Sequence, residues 1–172
     1  MVERTARCCC GDTWITFRGE PERVLVCHCT YCQRRTGSVF QVSAWFLEEQ
    51  IVAQKADNTR VINDTPSNAG VDYTFCARCG STVFWPLKLK AGDYDGTVAP
   101  EDSPPGLYGV AVGCFEDPSF PAPTHDWLHR TRHHWVAPLD VEESYADFPP
   151  PEKMELDPEF LAANKRTVPS KG

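Results

Sequence analysis

The amino-acid sequence predicts a mainly β protein whose short antiparallel sheets are stapled together by cysteine-bound metal. Short runs rich in Val, Ile, Thr and aromatic residues recur along the chain, several alternating polar with apolar positions. Clusters of Gly, Pro, Asp and Asn separate them. Most of the nine cysteines stand in CxC and CxxC groups rather than scattered along the 172 residues.

The predicted strands follow in order: TWITFRG (13–19), RVLVC (23–27), SVFQVSAWFL (38–47), TRVIND (59–64), VDYTFC (71–76), STVFWPL (81–87), LYGVAVGCF (107–115) and HHWVAPL (133–139). Helical signals are few. One short turn is predicted through CQRRTG (32–37) and another through DPEFLAANKR (157–166). Residues 88–106 read as a long Gly/Pro/Asp loop of the kind that is usually functional. The chain thus divides into a β domain over residues 1–150 and an acidic, proline-rich tail over 151–172.

Composition narrows the function classes. Hydrophobic residues make up 41% and charged residues 24%, an ordinary globular balance. A net charge of −7, from 17 basic and 24 acidic residues, argues against nucleic-acid and anionic-membrane partners. The N-terminus MVERTARCCC has no apolar signal core, so a cytoplasmic setting is expected. There, an odd number of cysteines points to metal or thiol chemistry rather than a disulfide framework.

The cysteines sort into groups. Cys8 and Cys10 precede Gly11, and Cys76 and Cys79 precede Gly80. Glycine after the last cysteine permits the left-handed turn that aims backbone N–H groups at thiolate sulfur. Two such pairs from distant parts of a β protein fit one closed four-thiolate structural zinc. The middle group, Cys27, Cys29 and Cys32, has no following glycine. Its spacing lets three thiolates curl around one ion and leaves a fourth position for water, a substrate thiol, or a protein ligand. Cys9, His28, Cys114 and His125 are the candidates for that ligand. His28 is disfavoured because Cys27 and Cys29 turn it to the opposite face of an extended segment. A second closed zinc and an iron–sulfur cluster are the competing readings.

Taken together, CxCG, CHCxxC with a basic pair and TGS, FCxxCGS with FW behind it, VGCFEDPS, PTHDW and HHW resemble the glutathione-dependent formaldehyde-activating enzyme family. That family includes the centromere protein V group, and the resemblance covers roughly residues 6–148. It implies a β-tent fold with two zinc sites: a structural zinc on Cys8, Cys10, Cys76 and Cys79, and a catalytic zinc on Cys27, Cys29 and Cys32. It further implies a carbon–sulfur lyase acting on thiol–aldehyde adducts such as S-hydroxymethylglutathione, with glutathione as the small-thiol partner. Cys9, Cys114, the long loop and the tail depart from the family pattern.

Several side chains are candidates for work beside the middle cluster. Arg34 and Arg35 suit the carboxylates of glutathione or offset of an anionic metal centre. Ser38 suits a substrate hydrogen bond or a turn cap. His125, the histidine of PTHDW, is the candidate for proton transfer. In HDWLHRTRHHW an extended chain is expected, which would project His125, His129 and His133 to one face. Asp117 reads as a turn residue, and Phe84, Trp85, Trp127 and Trp135 as core. A non-catalytic zinc-stapled module that binds a partner is the alternative function.

Overall fold

The computed structural model describes residues 1–56, 60–64, 70–87, 106–153, 158–159 and 163. Apart from Gly106, the predicted loop over 88–106 lies outside these residues. So does most of the tail after 153, of which Pro158, Glu159 and Ala163 are helical.

Two sheets make the fold. The smaller contains β1 (Glu3–Arg7), β2 (Trp14–Arg18) and β5 (Ile51–Lys55) in the order β1-β2-β5. The larger has eight strands. They are β3 (Arg23–Cys27), β4 (Gln41–Leu47), β6 (Arg60–Asp64), β7 (Gly70–Phe75), β8 (Thr82–Leu87), β9 (Leu107–Ala111), β10 (His125–Trp127) and β11 (Glu143–Tyr145), ordered β11-β10-β3-β4-β9-β8-β7-β6. The α-helix α1 (Thr30–Thr36) leaves the end of β3. The mainly β expectation holds.

The sequence pattern explains the layering. Along β3 and β4, Val24, Ala44 and Phe46 point into one core, while Leu25, Trp45 and Leu47 point into a second on the opposite face. Both faces are covered, so RVLVC reads as a continuous apolar run rather than an alternating one. The first core joins the two sheets. Ala6, Ile15 and Phe17 of the small sheet meet Val24, Phe46, Val83, Phe84 and Val110 of the large one. Phe17 and Phe46, both fully buried, stack at 4.3 Å between ring centroids. Each such ring contributes about 1.5–3 kcal/mol by leaving water.

Gly109 fixes one feature of the large sheet. A β-carbon there would lie 2.2 Å from Nε1 of Trp85, so only glycine lets the indole lie flat across β9. Trp85 and Gly109 are direct partners in the β8–β9 ladder.

Three expectations need correction. The sheets are not antiparallel throughout: β10 runs parallel to both β3 and β11. The segment HHWVAPL forms no strand, and Trp135 is 63% exposed rather than core. Nor do the three histidines share a face. His125 lies on β10, Leu128 then takes a left-handed conformation (φ 56°), and His129–Thr131 form a 3-10 turn. That reversal destroys the strand periodicity the expectation relied on. Strands β1, β5 and β11 were not foreseen. β1 and β11 have polar sequences with little hydrophobic signal, and β5 (IVAQK) is short and exposed along most of its length; each is defined by its pairing to a neighbour.

Candidate metal centres and a neighbouring cleft

Cys8, Cys10, Cys76 and Cys79 converge, their sulfurs all within 4.8 Å of one another. Cys8 follows β1, and the other pair sits in the turn joining β7 to β8. Both turns close in the same way. Gly11 N–H donates to Cys8 O at 2.9 Å and Gly80 N–H to Cys76 O at 2.8 Å. Gly11 and Gly80 have φ of 79° and 75°, the left-handed region that glycine enters without strain. Thr13 N–H then donates to Cys8 Sγ at 3.2 Å. Sulfurs bound tetrahedrally at about 2.3 Å from zinc would stand about 3.8 Å apart. The Cys8–Cys10 and Cys10–Cys76 separations are 3.6 and 3.5 Å. The donor set and spacing therefore fit a four-coordinate ion. The Ser81 hydroxyl, 3.3 Å from Cys79 Sγ, helps hold that thiol down at about 5.

Cys27, Cys29 and Cys32 form the second group, their sulfurs again within 4.8 Å. Cys27 ends β3, Cys29 caps α1 by accepting from Cys32 N–H at 3.2 Å, and Cys32 lies in the first turn of the helix. The Cys29 thiol is lowered by hydrogen bonds from Cys27 and Cys32, while those two are raised, first by hydrogen bonding within the trio, which keeps their protons on, and then by burial and the nearby sulfur charge. A cation is what three such sulfurs lack, and the soft donor set suits zinc.

Among the described residues no fourth Cys, His, Asp or Glu joins this group. His28 is fully buried on the opposite side, with Nε2 3.0 Å from Asp126 Oδ1. The carbonyl of His28 accepts from Gln33 Nε2 and Thr131 Oγ1, both at 2.8 Å, which fixes the backbone between the cysteines. Cys9 Sγ instead accepts from Ser81 Oγ at 3.2 Å, beside the four-cysteine group. Cys114 packs in the core that holds Cys8 and Cys76, and burial pushes its thiol up to about 11.

A cleft of about 430 Å³ is lined by Arg35, Ser38, Gln41, Ser81, Thr82 and Gly113 among others. One wall is the last turn of α1, and the other comes from the second glycine-ended turn. Arg35 and Thr36 stand three and four residues after Cys32, on its face of the helix. Arg34 stands two residues after it, is exposed, and does not line the cleft. Gly37 ends the helix with φ 69° and brings Ser38 to the rim, where its N–H donates to Thr36 Oγ1 at 3.2 Å. Sequence reasoning overlooked Tyr73, on which the Arg35 guanidinium stacks at 4.2 Å, with Trp85 at 5.1 Å. No linear signal marks Tyr73, because β7 reaches α1 only through the tertiary fold.

His125 has a different setting. Its strand partner is Leu25, its Nδ1 is 2.7 Å from Thr124 Oγ1, and it does not line the cleft. Asp117 forms the expected turn, accepting from Ser119 N–H at 2.9 Å, and also pairs with Arg4. Burial, then Arg23, lower the pKa of His125 below its ordinary 6.5. A base with a depressed folded-state pKa binds fewer protons folded than unfolded. The stability it contributes is therefore present above about pH 6.5 and is lost as pH falls through the folded-state value. Denaturant titrations over that window should lose their slope in His125→Gln; an unaltered slope would assign it to another group.

A mainly β chain carrying a four-sulfur and a three-sulfur group, each of which could hold a metal ion, together with a ligand-sized cleft, is the class of protein that fold and site define. The chain belongs to the glutathione-dependent formaldehyde-activating enzyme family, whose model matches residues 3–131. No curated protein matches the sequence.

Proposed function

We propose that the protein is a zinc-dependent carbon–sulfur lyase that makes and breaks thiol–aldehyde adducts, S-hydroxymethylglutathione among them. The observation that carries this reading is the three-sulfur group beside the cleft, to which no described residue adds a fourth ligand. Family membership supports glutathione and formaldehyde as the reactants. Cys8, Cys10, Cys76 and Cys79 hold a structural ion, and Cys27, Cys29 and Cys32 hold the working one. Zinc bound by three thiolates would supply a soft Lewis-acid position that lowers the pKa of an incoming thiol.

The chain's own residues prepare that step. The buried His28–Asp126 contact and the Gln33 and Thr131 bonds keep the three sulfurs on one side of the turn. Ser38, Ser81 and Thr82 place hydroxyl groups in the cleft, where an aldehyde oxygen would sit. In the forming direction the sulfur bonds to the carbonyl carbon, the carbonyl π pair moves to oxygen, and the thiol proton ends there. The lyase direction is the reverse. His125, bonded to Thr124 outside the cleft lining, serves the structure rather than proton transfer. The nine free cysteines, which need a reducing compartment to stay so, support a cytoplasmic enzyme.

Cobalt substitution tests the reading. Titrating 2-mercaptoethanol into the doubly substituted protein should alter the sulfur-to-cobalt absorption of one metal of the two. A spectrum indifferent to thiol would rule out an accessible coordination position.

A further inference from the structure

Arg35 differs from Arg7 and Arg34, which share its lack of an ion pair among the described residues, in being half-buried rather than exposed. Its guanidinium lies over the Tyr73 ring at 4.2 Å and near Trp85 at 5.1 Å, and one terminal nitrogen donates to Gln41 Oε1. Its Nε is buried and makes no hydrogen bond. No carboxylate among the described residues pairs with it, although Arg4, Arg18, Arg23, Arg78, Arg130 and Arg132 each have one. The aromatic floor is itself fixed: Tyr73 and Trp85 pack at 5.2 Å, and Gly109 leaves the indole its place. A cation held rigidly, partly desolvated and lacking a counter-ion is a prepared anion site. It lines the cleft, one helical turn from Cys32.

We propose that Arg35, on its Tyr73–Trp85 platform, binds a carboxylate of the thiol substrate and thereby selects carboxylated thiols over uncharged ones. The proposal rests on the reading of the Cys27/Cys29/Cys32 group as a thiol site and adds the class of thiol it accepts. Arg34, outside the cleft, has no part in it. The planar fork matters as well as the charge, because a guanidinium can stack on the rings and present two N–H groups to a carboxylate at once, which an ammonium cannot.

The test uses the metal-loaded protein and reads binding by calorimetry and tryptophan fluorescence. Arg35→Gln should weaken glutathione about tenfold or more while leaving 2-mercaptoethanol within about twofold, and Arg35→Lys should fall between. Equal losses for both thiols, or no loss for glutathione, would overturn the proposal. A second measurement needs no variant: S-methylglutathione, which has no free thiol, should bind the native protein about tenfold more tightly than its dimethyl ester, in which both carboxylates are blocked. Equal affinities would also overturn it. If S-methylglutathione shows this preference but no thiol perturbs the cobalt spectrum, the carboxylate site stands and the thiol-ligation reading falls.

Discussion

Cys76→Ser is expected to abolish the stable fold. Cys76 is 2% exposed and sits in the turn between β7 and β8, where its N–H donates to Ser81 O at 2.9 Å. Its sulfur, 3.5 Å from Cys10 Sγ, belongs to the group that brings the end of β1 to the β7–β8 turn of the large sheet. A structural zinc in small domains is worth about 10–16 kcal/mol of apparent binding free energy. Net stability of a domain is about 5–15 kcal/mol. Removing one ligand therefore removes an interaction as large as the whole margin. The variant should bind one metal fewer and lose its cooperative melting transition. Cys9→Ser is the control: Cys9 is exposed and outside the four, and its replacement should shift stability by no more than about 0.5 kcal/mol. A Cys76→Ser protein with full metal content and native melting would mean that these sulfurs staple nothing.

Cys32→Ser should separate chemistry from folding. Cys32 lies in the first turn of α1, a helix with no buried residue, and its backbone N–H bond to Cys29 Sγ does not depend on its own side chain. The core around Phe17 and Phe46 is untouched by the change. A single sulfur is exchanged for a harder oxygen donor that a soft site holds poorly. Outer-shell partners of metal sites typically contribute about 10–100-fold in affinity or activity, and a direct ligand should exceed that. Turnover of S-hydroxymethylglutathione should fall by more than about a hundredfold, with one metal retained and the melting temperature close to native. Undiminished turnover and two bound metals would remove Cys32 from the working site.

The two expected effects differ because the two centres differ in how far apart their ligands lie in the chain. Cys10 and Cys76 are separated by 66 residues, so an ion held there would close a long loop and carry folding energy. Cys27, Cys29 and Cys32 span six residues at one strand end, so an ion held there would constrain little that β3 and α1 do not already hold.

That contrast also divides what could be read beforehand from what could not. Glycine after Cys10 and after Cys79 was legible because a left-handed turn around sulfur is a matter of one residue's backbone. The turn of His28 away from its cysteine neighbours was legible for the same reason, since side chains alternate along an extended chain. The choice of Arg35 over Arg34 was half legible: helical spacing from Cys32 separates them, once a helix rather than a loose turn is recognised through 30–36. Its aromatic floor was not, and neither was the burial of Asp126 against His28.

By itself, then, the sequence determined the mainly β class, the family, and the two cysteine groups, because each depends on residues a few positions apart or on composition. Only the tertiary structure decided that β10 runs parallel between β3 and β11, that Tyr73 and Trp85 meet beneath Arg35, and that the end of α1 and the Gly80–Ser81 turn share one cleft. Those features are set by the register of strands brought together from distant parts of the chain. A register shift of one residue would turn each of these side chains to the opposite face.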